Sequence, residues 1–99
     1  MKLKIQSLHF DADQKLIGFI NEKVGKLNHF YEAILGTDVV LRIDKSRTSD
    51  NKVAEIRIKI PGNDLFAKRQ CHTFEEATDT AVNALKKQIK KHKEKVRSL

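Results

Sequence analysis

Ninety-nine residues carrying a net charge of +7 make one domain with a single core and no room for a second. One cysteine, Cys71, excludes an internal disulfide, and no apolar run approaches the roughly 20 residues that cross a bilayer. Met1 to Leu8 alternates polar and apolar without the apolar stretch of a signal peptide, so a cytoplasmic protein that folds without metal or cross-link is expected.

Residues 2–8 put Leu3, Ile5 and Ser7 on one face and Lys2, Lys4 and Gln6 on the other, the period of a half-buried strand. Asp13 offers an N-cap oxygen to a helix whose apolar side is Leu16, Ile17, Ile20, Val24, Leu27 and Tyr31, with Phe19 and Phe30 at its margins. Gly36 is expected to end that helix or begin the turn out of it. Residues 38–45 alternate again, with Val39, Leu41 and Ile43 against Val40, Arg42 and Asp44. After a polar turn over 46–51, residues 52–60 alternate most clearly, with Ala54, Ile56, Ile58 and Ile60 opposite Val53, Glu55, Arg57 and Lys59. Pro61-Gly62-Asn63-Asp64 signals a turn, and residues 65–72 read as a fourth strand with Leu65 and Ala67 toward the core.

Thr73-Phe74-Glu75-Glu76 has the form of a capping box and opens a long helix to about Lys95. Phe74, Ala77, Ala81, Leu85, Gln88, Ile89, His92 and Val96 line one side. The stripe thins beyond Ile89, so the last two turns should project past the core. The order β-α-β-β-β-α predicts an α+β fold in which strands two to four pair antiparallel through short turns. The first strand, followed by a helical crossover, should lie parallel to a neighbour. Two helices would cover one face of a four-stranded sheet and leave the other open to solvent.

The charge is concentrated in that last helix. Lys86, Lys87, Lys90, Lys91, Lys93, Lys95 and Arg97 stand with one acid, Glu94, a local charge of +6 against +1 for the other 87 residues. Lys86, Lys90, Lys93 and Arg97 form a stripe opposite the apolar side, with Lys87 and Lys91 flanking it. Self-repulsion within such a stripe is uncompensated, which points to a polyanion, and the reading adopted is a surface for RNA phosphates. Lysine suits that task as a flexible point charge, so shape and backbone recognition are expected over base readout.

A second basic set, Arg42, Lys45, Arg47, Arg57, Lys59, Lys68 and Arg69, falls on strands and turns. It either extends a basic groove across the open sheet or pairs across strands with Asp44 and Glu55. Phe66, opposite Leu65 and Ala67, either stacks on a base or covers the sheet. Asp79 falls opposite the apolar stripe with no role assigned. Cys71 and His72 are neighbours on a strand and point to opposite faces, so they make neither a nucleophile–base pair nor a shared metal site. No zinc-ligand spacing or Gly-rich phosphate loop is present. A protein that is not an enzyme and has no cofactor is expected.

These residues carry a family resemblance. Asp13-Gln14-Lys15-Leu16-Ile17 through Glu22-Lys23-Val24-Gly25-Lys26-Leu27, the strand Val39 to Lys45, and above all Ala77-Thr78-Asp79 followed by Lys86-Lys87-Gln88-Ile89-Lys90-Lys91-His92-Lys93 resemble the hibernation-promoting factor and ribosome-associated inhibitor family. The resemblance spans nearly the whole chain, and departs from the family pattern at Phe66-Ala67-Lys68-Arg69, where small residues are commoner.

The resemblance implies a fold similar to double-stranded-RNA-binding domains. It implies a protein seated on the small (30S) ribosomal subunit against 16S rRNA, in the cleft for messenger RNA and transfer RNA, silencing translation in stationary or starved cells. It implies the short type, without the C-terminal domain that pairs ribosomes, which in some bacteria acts with a separate ribosome modulation factor. Off the ribosome a monomer is expected. A general double-stranded-RNA-binding module without ribosome preference is the first alternative. A membrane-surface protein is the second, although an apolar side that starts with Ala and tapers to Gln88 and His92 is a poor wedge for lipid.

Overall fold

The computed structural model describes residues 2–45 and 49–97, with side chains as far as Lys95. Its elements are β1 (Lys2–Ser7), α1 (Gln14–Phe30), β2 (Gly36–Ile43), β3 (Lys52–Ile60), β4 (Asn63–Cys71) and α2 (Phe74–Arg97). The strands form one sheet in the order β1-β2-β3-β4, with β1 parallel to β2 and the other pairs antiparallel. The α+β arrangement expected from the β-α-β-β-β-α order is the one observed.

Local chemistry sets the boundaries. Asp13 Oδ1 accepts from the Leu16 amide at 2.8 Å and starts α1. Thr73 Oγ1 accepts from the Glu76 amide at 3.0 Å and starts α2. Each satisfies an amide that the first helical turn leaves without a partner. Thr73→Ala is therefore expected to cost about 1 kcal/mol in chemical denaturation, with Thr73→Asp restoring most of it. Between β3 and β4 the loop is only Pro61-Gly62, because Ile60 already pairs with Asn63. Proline's fixed φ followed by glycine at φ 78° is the backbone sequence of a type II turn.

The core lies between the helices and one sheet face. Leu16, Ile20, Val24 and Leu27 from α1 and Ala77, Ala81, Leu85 and Ile89 from α2 pack on Val39, Leu41, Ala54, Ile56 and Ile58. The helices run side by side in the same direction: Lys23 meets Asp79 near the start of α2, and Phe30 meets Lys93 near its end. Among the described side chains Ile89 is the last fully buried one of α2, and the molecule is elongated at 47 × 24 × 18 Å. Past Ile89, His92 and Lys93 are half-buried against Tyr31 and Phe30 at the end of α1, and the expected projection falls on Val96 and Arg97, whose side chains lie outside the described ones.

Several details differ from the sequence reading. Gly36 opens β2 rather than ending α1; a Cβ there would lie 3.4 Å from the Lys2 carbonyl oxygen of the parallel neighbour strand. The helix stops at Phe30, and Tyr31 is its C-cap, extended at φ −148° and packed on the core from outside the helix. Ile17 is exposed at the margin of α1 instead of buried. Val53 is fully buried although it is on the open sheet face, flanked in register by Arg42 and Gln70. Gln70 also donates to the Asp50 carbonyl at 2.8 Å, fastening the β2–β3 connection over that end of the sheet. On the edge strand β4, Gln88 of α2 donates to the Phe66 carbonyl at 2.9 Å.

Candidate nucleic-acid interface

The basic residues separate onto two surfaces with different electrostatics. On the open sheet face, the register sets Asp38, Arg57 and Phe66 in one row and Gln6, Val40, Glu55 and Lys68 in the next. Here Arg42, Arg57 and Lys59 are paired, while Lys2, Lys4 and Lys68 have no carboxylate partner among the described residues. Arg42 donates to Glu55 at 2.9 Å and lies 3.8 Å from Asp44; Arg57 lies 3.6 Å from Asp64, and Lys59 3.3 Å from Asp38. Cross-strand pairing thus holds for Arg42 with Glu55, one of the two acids named from sequence, while Asp44 meets Arg42 from just past the end of its own strand; Arg57 and Lys59 pair across strands with two other acids. Arg57 also lies over the Phe66 ring, 5.1 Å from its centroid, which leaves the ring 40% exposed. Lys68 is exposed on this face, and so are Lys2 and Lys4 of β1, which the sequence reading did not assign.

On the helix side α1 pairs Lys23 with Asp79 and Lys26 with Glu22, and four cations of α2 stand apart from carboxylates. Lys87, Lys90 and Lys91 are exposed and Lys86 is half-buried, and none has a carboxylate partner among the described residues. At about 100° per residue, Lys86 and Lys90 fall on the flank of α2 that faces α1, and Lys87 and Lys91 on the flank toward β4. Lys95 is exposed on the β4 flank. Lys93 is held: its Nζ lies 3.2 Å from the Phe30 carbonyl oxygen and 5.1 Å from the centroid of that ring. Arg97 closes α2, and its side chain lies outside the described ones, as does Arg47 altogether.

Lys68 and Arg69, adjacent in sequence, point to opposite sides of the sheet. Arg69 pairs in register with buried Ala54 and so belongs to the helix side, between the level where Cys71 meets Thr80 and that where Phe66 meets Gln88. Lys45 is exposed just past β2, beside a concavity of about 520 Å³ that it shares with His9, Arg42 and Ile43.

Asp79 does not face away from the core side as its wheel position suggested. It lies 3.4 Å from Lys23 and ties α2 to α1. Cys71 is half-buried, its Sγ 3.7 Å from Thr80 Oγ1, while His72 stands 3.7 Å from Asp50 on the exposed side. Among the described residues no cluster of His, Cys, Asp or Glu could hold a metal, and no helix is long and apolar enough to cross a membrane. The arrangement offers a cluster of unneutralised ammonium groups on the outer side and flanks of α2, suited to an extended polyanion.

Comparison with known proteins identifies the family and the fold. The family model described as Sigma 54 modulation protein / S30EA ribosomal protein matches residues 3–97. A ribosome hibernation promoting factor of Pseudomonas putida is 27% identical over 99 residues, covering all of this chain and 93% of that protein. A ribosome hibernation promotion factor of Bacillus subtilis is 28% identical over 98 residues, and there this chain matches 50% of the longer relative. Among solved structures, a ribosomal subunit interface protein from Coxiella burnetii superposes with a TM-score of 0.84 at 18% identity, covering 94% of this chain and 98% of that one. The N-terminal domain of Thermus thermophilus Protein Y superposes at 0.79 with 22% identity, covering 93% and 99%. The two superpositions establish the fold.

Proposed function

Since the chain belongs to the Sigma 54 modulation protein / S30EA ribosomal protein family, we propose that it is a ribosome hibernation factor, a non-enzymatic cytoplasmic protein. It binds the small (30S) ribosomal subunit in the channel for messenger and transfer RNA and inhibits translation in stationary or stressed cells. The contact is between α2 and phosphates of 16S rRNA. Off the ribosome it is a monomer, and where a separate ribosome modulation factor exists the two act together.

The observation that carries this reading is the concentration on one helix of Lys86, Lys87, Lys90 and Lys91, none with a carboxylate partner among the described residues; on the open sheet Arg42, Arg57 and Lys59 are paired, and Lys2, Lys4 and Lys68 are spread over its two edge strands. An ammonium group already held by a carboxylate gains less from a phosphate than one facing water, because it must first give up its partner. Four free lysines on one helix release condensed counterions when they meet RNA, and that release drives binding. The names of the relatives in Pseudomonas putida and Bacillus subtilis support the ribosome as the source of the RNA.

Sucrose-gradient sedimentation with purified small subunits tests the reading. The protein is expected to co-sediment at one copy per subunit and to be displaced by messenger RNA with transfer RNA. With about four phosphates neutralised, log affinity should fall against log salt with a slope of roughly −3 to −4. Failure to co-sediment even in dilute buffer would overturn the proposal. Equal affinity for arbitrary duplex RNA, with no displacement by messenger and transfer RNA, would replace it with a general RNA-binding module.

A further inference from the structure

Phe30 is the last residue of α1, and its ring is 39% exposed. An aromatic ring left to water needs an explanation when it stands beside the densest unpaired positive charge of the molecule. Lys93 meets Phe30 twice, donating to its carbonyl at 3.2 Å and lying over its ring 5.1 Å from the centroid. A groove of about 340 Å³ on one side is lined by Phe30, Lys90, Lys93 and Glu94. A second, of about 470 Å³, is bordered by residues 29–33 and Lys93. Phe30 and Lys93 border both and form the ridge between them.

We propose that Phe30 is a stacking platform for one unpaired nucleobase of RNA, with Lys90 receiving the adjacent phosphate and Lys93 holding the ring. This rests on the RNA-binding reading above and deepens it by assigning single-stranded RNA to this end of the interface. Every base has a π-face that an exposed aromatic ring can cover, whatever the sequence, whereas a duplex keeps those faces stacked inside. The neighbouring charge selects a polyanion: Lys86 and Lys90 lie free on this flank. One acid lines each groove, Glu94 the first and Glu32 the second, and Glu94 repels phosphate from its own end toward Lys90, one turn earlier.

The test compares a single-stranded RNA of about eight nucleotides, carrying one 2-aminopurine, with an RNA duplex of similar charge. Wild-type protein, Phe30→Leu and Phe30→Trp are each titrated against both. Phe30→Leu is expected to weaken single-strand binding about tenfold, to leave duplex binding within about twofold, and to abolish the quenching of 2-aminopurine fluorescence. Phe30→Trp retains both the affinity and the quenching. Unchanged single-strand binding by Phe30→Leu would overturn the proposal. So would equal loss of both RNAs together with a lowered melting temperature, which would assign the ring to helix docking alone. If the wild-type protein quenches the oligonucleotide but ignores small subunits, the ribosomal reading fails and the stacking site stands.

Discussion

Changing Lys86, Lys87, Lys90 and Lys91 together to glutamate is expected to abolish co-sedimentation with the small ribosomal subunit, an affinity loss of at least a hundredfold at moderate salt. The change removes four phosphate contacts and substitutes four repulsions, and the eight-unit shift takes the net charge from +7 to −1. Lysine and glutamate have similar helix propensities, and these side chains have no partner to lose, so the fold should survive. A paired control sharpens the result. Arg57→Gln with Lys59→Gln removes two cations that already face Asp64 and Asp38, and less than a threefold change is expected. A quadruple variant that still sediments with subunits at full affinity would remove α2 as the contact surface.

The second large effect is on stability. Ile56→Ala is expected to cost about 2–5 kcal/mol, a substantial part of the roughly 5–15 kcal/mol that holds a small domain folded. Ile56 is fully buried in β3 between Val39 and Ala67 in register, on the sheet face that carries the core. Strands on each side prevent the backbone from closing the space that the lost atoms leave. Urea denaturation followed by circular dichroism measures the change, and Lys91→Ala, exposed and partnerless, should stay within about 0.5 kcal/mol of the parent. An Ile56→Ala loss below 1 kcal/mol would mean that this part of the sheet is not the centre of the core.

Much of this was legible in the sequence because short-range physics wrote it there. The alternation of Ala54, Ile56, Ile58 and Ile60 and the caps at Asp13 and Thr73 each follow from residues within a few positions of one another. Features that depend on where elements come to rest were not legible. Phe10 stacks on Phe74 with centroids 4.9 Å apart and planes 8° from parallel, yet it sits in an aperiodic link between β1 and α1. Thr78 and Val82 are buried in α2, widening its apolar face on the side toward α1; a threonine at such a position reads as polar. The Lys23–Asp79 pair and the Lys93–Phe30 contact join residues 56 and 63 positions apart, and each needed both helices in place. For the interface, counting lysines located the charge on α2, but only the register showed which strand cations are already neutralised.

The bond from Gln88 to the Phe66 carbonyl has a consequence for how this sheet meets other chains. The tight Pro61-Gly62 loop closes on a hydrogen-bonded pair, so alternation along the ladder turns the Phe66 backbone outward, away from β3. An incoming extended segment would need that oxygen to lengthen the sheet, and a side-chain amide already occupies it. The long helix therefore also blocks one position of the β4 margin, and bare sheet margins are where templated self-association starts.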